Sequence, residues 1–178
     1  MATPTTLPAS FTSGQVLTAA EMNNLRGAFR VLQVVSTTKT DTFSTASTTF
    51  TDVTGMSVTI TPSATTSQIL VIVNTGVGNG GGIIVGLSLV RGSTQIYAGQ
   101  AAGTRGIGAA GPRVDSDANI VPTSIVFLDS PATTSATTYK LQMKTGSGTS
   151  WVNRSSFDAD AAASMRTASS ITVMEISA

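Results

Sequence analysis

Short runs of β-branched and hydroxyl residues recur along most of this chain, separated by turn residues rather than by helix-length segments. Met56-Ser57-Val58-Thr59-Ile60-Thr61 alternates apolar and hydroxyl side chains with period two and stops at Pro62, the pattern of a half-buried strand. Thr138-Tyr139-Lys140-Leu141-Gln142-Met143-Lys144 alternates in the same way, with Tyr139, Leu141 and Met143 on one face. Gln68-Ile69-Leu70-Val71-Ile72-Val73 is apolar without a break after its first residue, which asks for cover on both faces. Further strand candidates are residues 31–36, 48–53, 83–90, 94–97, 123–128, 150–153 and 171–176. Thr54-Gly55 and Arg91-Gly92-Ser93 read as turns between them, and a Thr/Ser tract at 37–49 lengthens the first connection. About eight to ten short strands with this punctuation predict an all-β fold, an antiparallel β-sandwich or jelly roll.

The first thirty-two residues read differently and divide the chain in three. Residues 1–17 are rich in Thr and Pro and predict an extended arm. Residues 18–32 predict a short helix, and residues 33–178 the sandwich. Thr18 and Glu21 have capping-box spacing, while Leu17 and Met22 have that of a hydrophobic staple. Met22, Leu25, Phe29 and Leu32 then fall at steps of 3, 4 and 3, an a/d seam. Gly27 costs such a helix about 1 kcal/mol relative to Ala, so it needs a partner. Its stripe either packs on the chain's own sandwich or meets identical helices around a twofold or threefold axis.

Composition excludes several chemistries. The chain has no Cys and no His, which removes disulfides, thiolate nucleophiles, Ser-His-Asp sites and His-based zinc sites. Charged residues are 11% of the chain, against a usual share of about 25%. A surface so poor in charge needs either hydroxyls to solvate it or other subunits to cover it. A net charge of +1 without a basic run argues against nucleic-acid binding. No apolar run approaches the roughly 20 residues of a membrane span, and the N-terminus does not read as a secretory signal.

Local motifs weigh little. Gly76-Val77-Gly78-Asn79-Gly80-Gly81 matches a dinucleotide-binding fingerprint, but a strand follows where a helix is required, so it reads as a glycine-rich loop between strands. Gly106-Ile107-Gly108-Ala109-Ala110-Gly111 matches too and is followed by Pro112. Asp115-Ser116-Asp117 opens like a calcium loop, yet Ile120 replaces the required glycine and Val126 the bidentate Glu. Asp158 and Asp160 have the spacing of solvated loop residues, with glycoside hydrolysis as the alternative. Trp151 beside Asn153 and Arg154 suits either a sugar-stacking site or core and interface mass. No catalytic residue, cofactor or metal site is expected.

Several segments together resemble small tail-fibre-like appendage proteins of tailed bacteriophages, common among phages of aquatic bacteria. They are Phe11-Thr12-Ser13-Gly14-Gln15-Val16-Leu17-Thr18-Ala19-Ala20-Glu21-Met22-Asn23, Phe43-Ser44-Thr45-Ala46-Ser47-Thr48-Thr49-Phe50-Thr51-Asp52-Val53-Thr54-Gly55-Met56, Leu89-Val90-Arg91-Gly92-Ser93-Thr94, Phe127-Leu128-Asp129-Ser130-Pro131, Val152-Asn153-Arg154-Ser155 and Ile171-Thr172-Val173-Met174-Glu175. The resemblance implies a non-enzymatic virion protein, usually a homotrimer, made in the host cytoplasm and carried on the tail or capsid surface. It implies an N-terminal segment that attaches to other virion proteins and a distal sandwich, with adhesion of the sandwich to host-surface glycans as one reading of its role and a chain short for a receptor-binding fibre as the departure from the pattern. Capsid decoration, cement or head-fibre roles belong to the same class, and a glycan-degrading spike to another. Nucleic acid and membrane insertion are not expected.

Overall fold

A computed structural model describes residues 13, 14, 16, 18, 19, 22, 31–162 and 164–177. Its strands are β1 (Val31–Lys39), β2 (Phe43–Thr45), β3 (Thr51–Ile60), β4 (Gln68–Asn79), β5 (Ile83–Arg91), β6 (Thr94–Ile96), β7 (Arg113–Val114), β8 (Val121–Asp129), β9 (Thr137–Thr145), β10 (Ser150–Val152) and β11 (Ser169–Ile176). All strand pairings among the described residues are antiparallel and form two sheets. The first runs β1-β11-β4-β10-β2 with β8 on the other edge of β4, and the second runs β3-β9-β5-β6 with β7 beside β5. The architecture is all-β and sandwich-like.

Alternation decides which side chains fill the space between the sheets. Ile69, Val71, Val73, Ile171, Val173 and Ile125 of the first sheet meet Met56, Val58, Ile60, Leu87, Leu89, Leu141 and Met143 of the second, all at most 4% exposed. Completely burying each such side chain is worth about 1.5–3 kcal/mol. Tyr97 stacks on Phe127 with centroids 5.0 Å apart, joining the end of β6 to β8 across the gap between the sheets. At the end of the sandwich marked by Ile69, Asp129 of β8 accepts hydrogen bonds from Arg91 of β5 and Tyr139 of β9.

In the first sheet β4 and β8 run unbroken, beside two lines of strand that break. β1 and β2 form one line and β11 and β10 the other. Asn153 sits at both breaks. Its Nδ2 donates to the carbonyls of Lys39 and Asp41, each at 2.9 Å, and its Oδ1 accepts from Ser169 Oγ at 2.6 Å. Its backbone has φ 66°, a region asparagine tolerates better than most residues.

Several expectations change. Val31 and Leu32, which fell both in the expected helix 18–32 and in the expected strand 31–36, belong to β1, because β1 ladders with β11 from Val31↔Ile176 onward, with a bulge between Val31 and Gln33. Thr54-Gly55 is not a turn between strands. Both sides of it pair with β9, so it forms an irregularity inside β3, with Gly55 at φ 82° against the Lys39 side chain. The run Gly76–Asn79 is strand rather than loop, and the turn comes only after it. β2 and β7 were not anticipated.

At the N-terminus the Met22 backbone N–H donates to the Thr18 carbonyl at 3.0 Å, the helical bond expected after a capping Thr18. Leu17, Leu25 and Phe29 lie outside the described residues, so the seam is known only at Met22, which is half exposed, and at Leu32, which is a strand residue.

Candidate interaction surface

The outward face of the first sheet is the feature that stands apart. Strand register aligns Val34, Met174, Leu70 and Leu128 in one row across β1, β11, β4 and β8. The next row is Ser36, Thr172, Ile72 and Val126, and the third is Thr38, Ser170, Asn74 and Ser124. None of these twelve positions is charged, and the first two rows are mostly aliphatic. Val34 is 55% exposed, Val126 54% and Leu128 46%. An antiparallel sheet with one face in water ordinarily carries polar residues there.

The second sheet does so. Its outward face carries Asp52, Lys140, Gln142 and Lys144, with Lys140 Nζ and Gln142 Nε2 each 2.7 Å from the Asp52 carboxylate. Thr59 and Thr138 hydroxyls meet there at 2.8 Å. Charge is therefore segregated between the two outer faces.

Above the third row the face is covered by the loop 153–168. Gly78 is a glycine because a Cβ there would overlap the Arg154 carbonyl oxygen, and one on Gly76 would stand 2.8 Å from Thr167 Oγ1 and from Ile120 Cγ2. The glycine pattern that resembled a nucleotide motif thus serves close backbone packing. The Asp158 carboxylate fastens the loop, 2.6 Å from Arg166 and 3.2 Å from Arg154. Between loop and sheet lies a groove of about 900 Å³, lined by Asn74, Gly76, Pro122 and Ser124 below and by residues such as Ile120, Phe157, Ala161 and Met165 around it. No charged side chain lines it among the described residues, and Phe157 and Met165 are more than half exposed at its rim.

The sequence-derived glycan candidates separate. Trp151 and Arg154 are brought together, the guanidinium 5.3 Å from the ring centroid. Asn153 faces inward, fully buried, with its amide committed to backbone and Ser169, and is not available beside them. The hydrogen bond from Arg166 and the charges of Arg154 and Arg166 hold the Asp158 carboxyl below the usual carboxylate range, against a partial burial effect. That is the wrong direction for a general acid, which needs its proton near neutral pH. Asp115 accepts from Arg113 at 2.6 Å in an exposed turn. No group of three potential metal ligands occurs among the described residues.

The outward apolar rows were not singled out from sequence as a site. Their signal was present in the uninterrupted run from Ile69 to Val73, whose demand for cover on both faces the described residues meet fully on one side. Compared with known proteins, the chain matches no family model, and no curated protein is significantly similar to it.

Proposed function

We propose that the chain is a non-enzymatic structural subunit of a tailed-phage virion, a homotrimeric tail-fibre-type appendage. In this reading the N-terminal arm attaches to other virion proteins and the sandwich projects toward host-surface glycans. The observation that carries it is the segregation of charge: one outer face is solvated by Asp52, Lys140 and Lys144, while the other exposes aliphatic rows without a charge. A soluble monomer rarely exposes a contiguous apolar patch of more than a few hundred Å², whereas a subunit of an assembly does. The strand orders β1-β11-β4-β8 and β3-β9-β5-β6 support the jelly-roll description. The resemblance of the segments quoted above supplies the phage context, and Trp151 with Arg154 remains the glycan-facing candidate.

A flat, charge-free face also suits a decoration protein laid against a capsid. Particles lacking the protein separate the two roles, since decoration predicts fragile heads and an appendage predicts intact particles that adsorb poorly. The proposal as a whole is tested by mass spectrometry of purified phage particles. The chain is expected there at a fixed copy number divisible by three, and its absence from particles would sink the reading.

A further inference from the structure

We infer that the charge-free face of the β1-β11-β4-β8 sheet is where copies of this chain meet, three such faces closing around a threefold axis. The inference rests on the oligomeric reading above and places its contact on the sheet rather than on the N-terminal helix seam.

Three features favour a copy of the chain as the occupant. First, the face carries no charge, so an identical face meets it without like-charge repulsion and without needing a complementary pattern. The face of the second sheet, with Asp52, Lys140 and Lys144, has no such neutrality. Second, Leu70 and Ile72 are partly buried and belong to an apolar run whose other side is the core, and beside them every copy exposes the same Val34, Val126 and Leu128 among the described residues.

Third, the width fits. Four strands about 4.8 Å apart make a face about 19 Å wide. Three faces of that width, set as the sides of a triangular prism, each stand about 5.5 Å from the axis, close to half the roughly 10 Å at which sheets pack. The outward side chains then fill the centre without a channel, led by Met174 and Leu70 on the two middle strands. The three rows span about six residues of strand at roughly 3.3 Å each, a face of about 380 Å², and three such faces bring about 1,100 Å² into one shared core. The groove rimmed by Phe157 and Met165 continues the surface at the end of the face and receives the neighbour's edge.

The test is the solution mass of the full-length chain by light scattering, for the unaltered protein and for Val126→Lys/Leu128→Lys. Both side chains are about half exposed on the single chain, so the fold survives and circular dichroism checks it. The unaltered chain is expected at three times 18.0 kDa and the variant at one third of that mass. A trimer that persists in the folded variant overturns the placement of the interface and leaves the proposed function standing. A twofold dimer of the unaltered chain overturns the threefold closure, and a monomer overturns the oligomeric reading itself. Leu70→Cys supplies a second measurement, because the chain has no other thiol. Under oxidation it is expected to link copies in pairs while Thr59→Cys on the opposite face does not; equal behaviour of the two overturns the inference.

Discussion

The phenol of Tyr139 in β9 donates to Asp129 Oδ2 in β8 at 2.7 Å, so a hydroxyl of one sheet closes on a carboxylate of the other. Arg91 Nη1 reaches both oxygens of that carboxylate at 2.8 and 2.9 Å. Burial first, and the adjacent Asp129 second, push the phenol's pKa up, with Arg91 opposing weakly. Tyr139 therefore stays a donor at any working pH. Tyr139→Phe keeps the ring and removes the bond, and is expected to cost about 1–2 kcal/mol in denaturant unfolding. A loss indistinguishable from zero would mean that Arg91 alone satisfies Asp129.

Glu175 ties stability to pH. It is fully buried at the end of β11, where Ser63 N and Oγ and Gln33 Nε2 each approach its carboxylate at 2.6 Å. Burial raises its pKa, but hydrogen bonds from Ser63, Ser67 and Gln33 outweigh that and hold it at about 2. The folded value lies below the unfolded one of about 4.3. The stabilisation is therefore complete above the unfolded value and is lost as pH falls toward 2. Allowing for solvent screening near the end of the sheet, roughly 2 kcal/mol should disappear between pH 5 and pH 2. Urea midpoints across that window check it, and Glu175→Gln should flatten the part of the slope that belongs to this residue.

How much of this was legible in the sequence follows from what each residue depends on. The core strands were readable because alternation is local: Val58 and Ile60 or Leu141 and Met143 declare a face wherever the chain goes. β2 and β7, three and two residues long, carry no period and exist through their partners, β10 for one and β5 for the other. Gly78 was misread because its reason is the backbone at Arg154 and Ser155, more than 70 residues later, and Gly76 because the side chains of Ile120 and Thr167 close on it. The outward rows were half readable. The run around Leu70 and Ile72 showed two apolar faces, but only register could align Leu70 with Met174 and Leu128.

Asn153 combines a side-chain role with a backbone one, and two substitutions separate them. Asn153→Ala removes the bonds to the Lys39 and Asp41 carbonyls and to Ser169 and also puts at φ 66° a residue that tolerates the left-handed region less well than asparagine. Asn153→Gly removes the same bonds without the steric cost. Both should destabilise by about 2–4 kcal/mol, since buried carbonyls and Ser169 lose partners. The alanine variant should be worse by roughly 1 kcal/mol. Equal losses would show that the positive φ contributes nothing to the choice of asparagine.

The loop over β4 can be dislodged with one methyl group. In Gly78→Ala the new Cβ would overlap the Arg154 carbonyl, a backbone atom that cannot rotate away, so the segment after Asn153 must lift. Trp151 pairs directly with Gly78 and carries the Arg154 guanidinium over its ring, so it reports the movement, and it is the only tryptophan. The expected outcome is a changed emission maximum and a loss of about 1–3 kcal/mol, in the range of overpacked sites. Gly80→Ala, where nothing stands within 4 Å of the added carbon, should leave the spectrum unchanged. If the two alanine variants have the same spectrum, the loop does not rest on β4 in solution, and the groove beside it loses its wall.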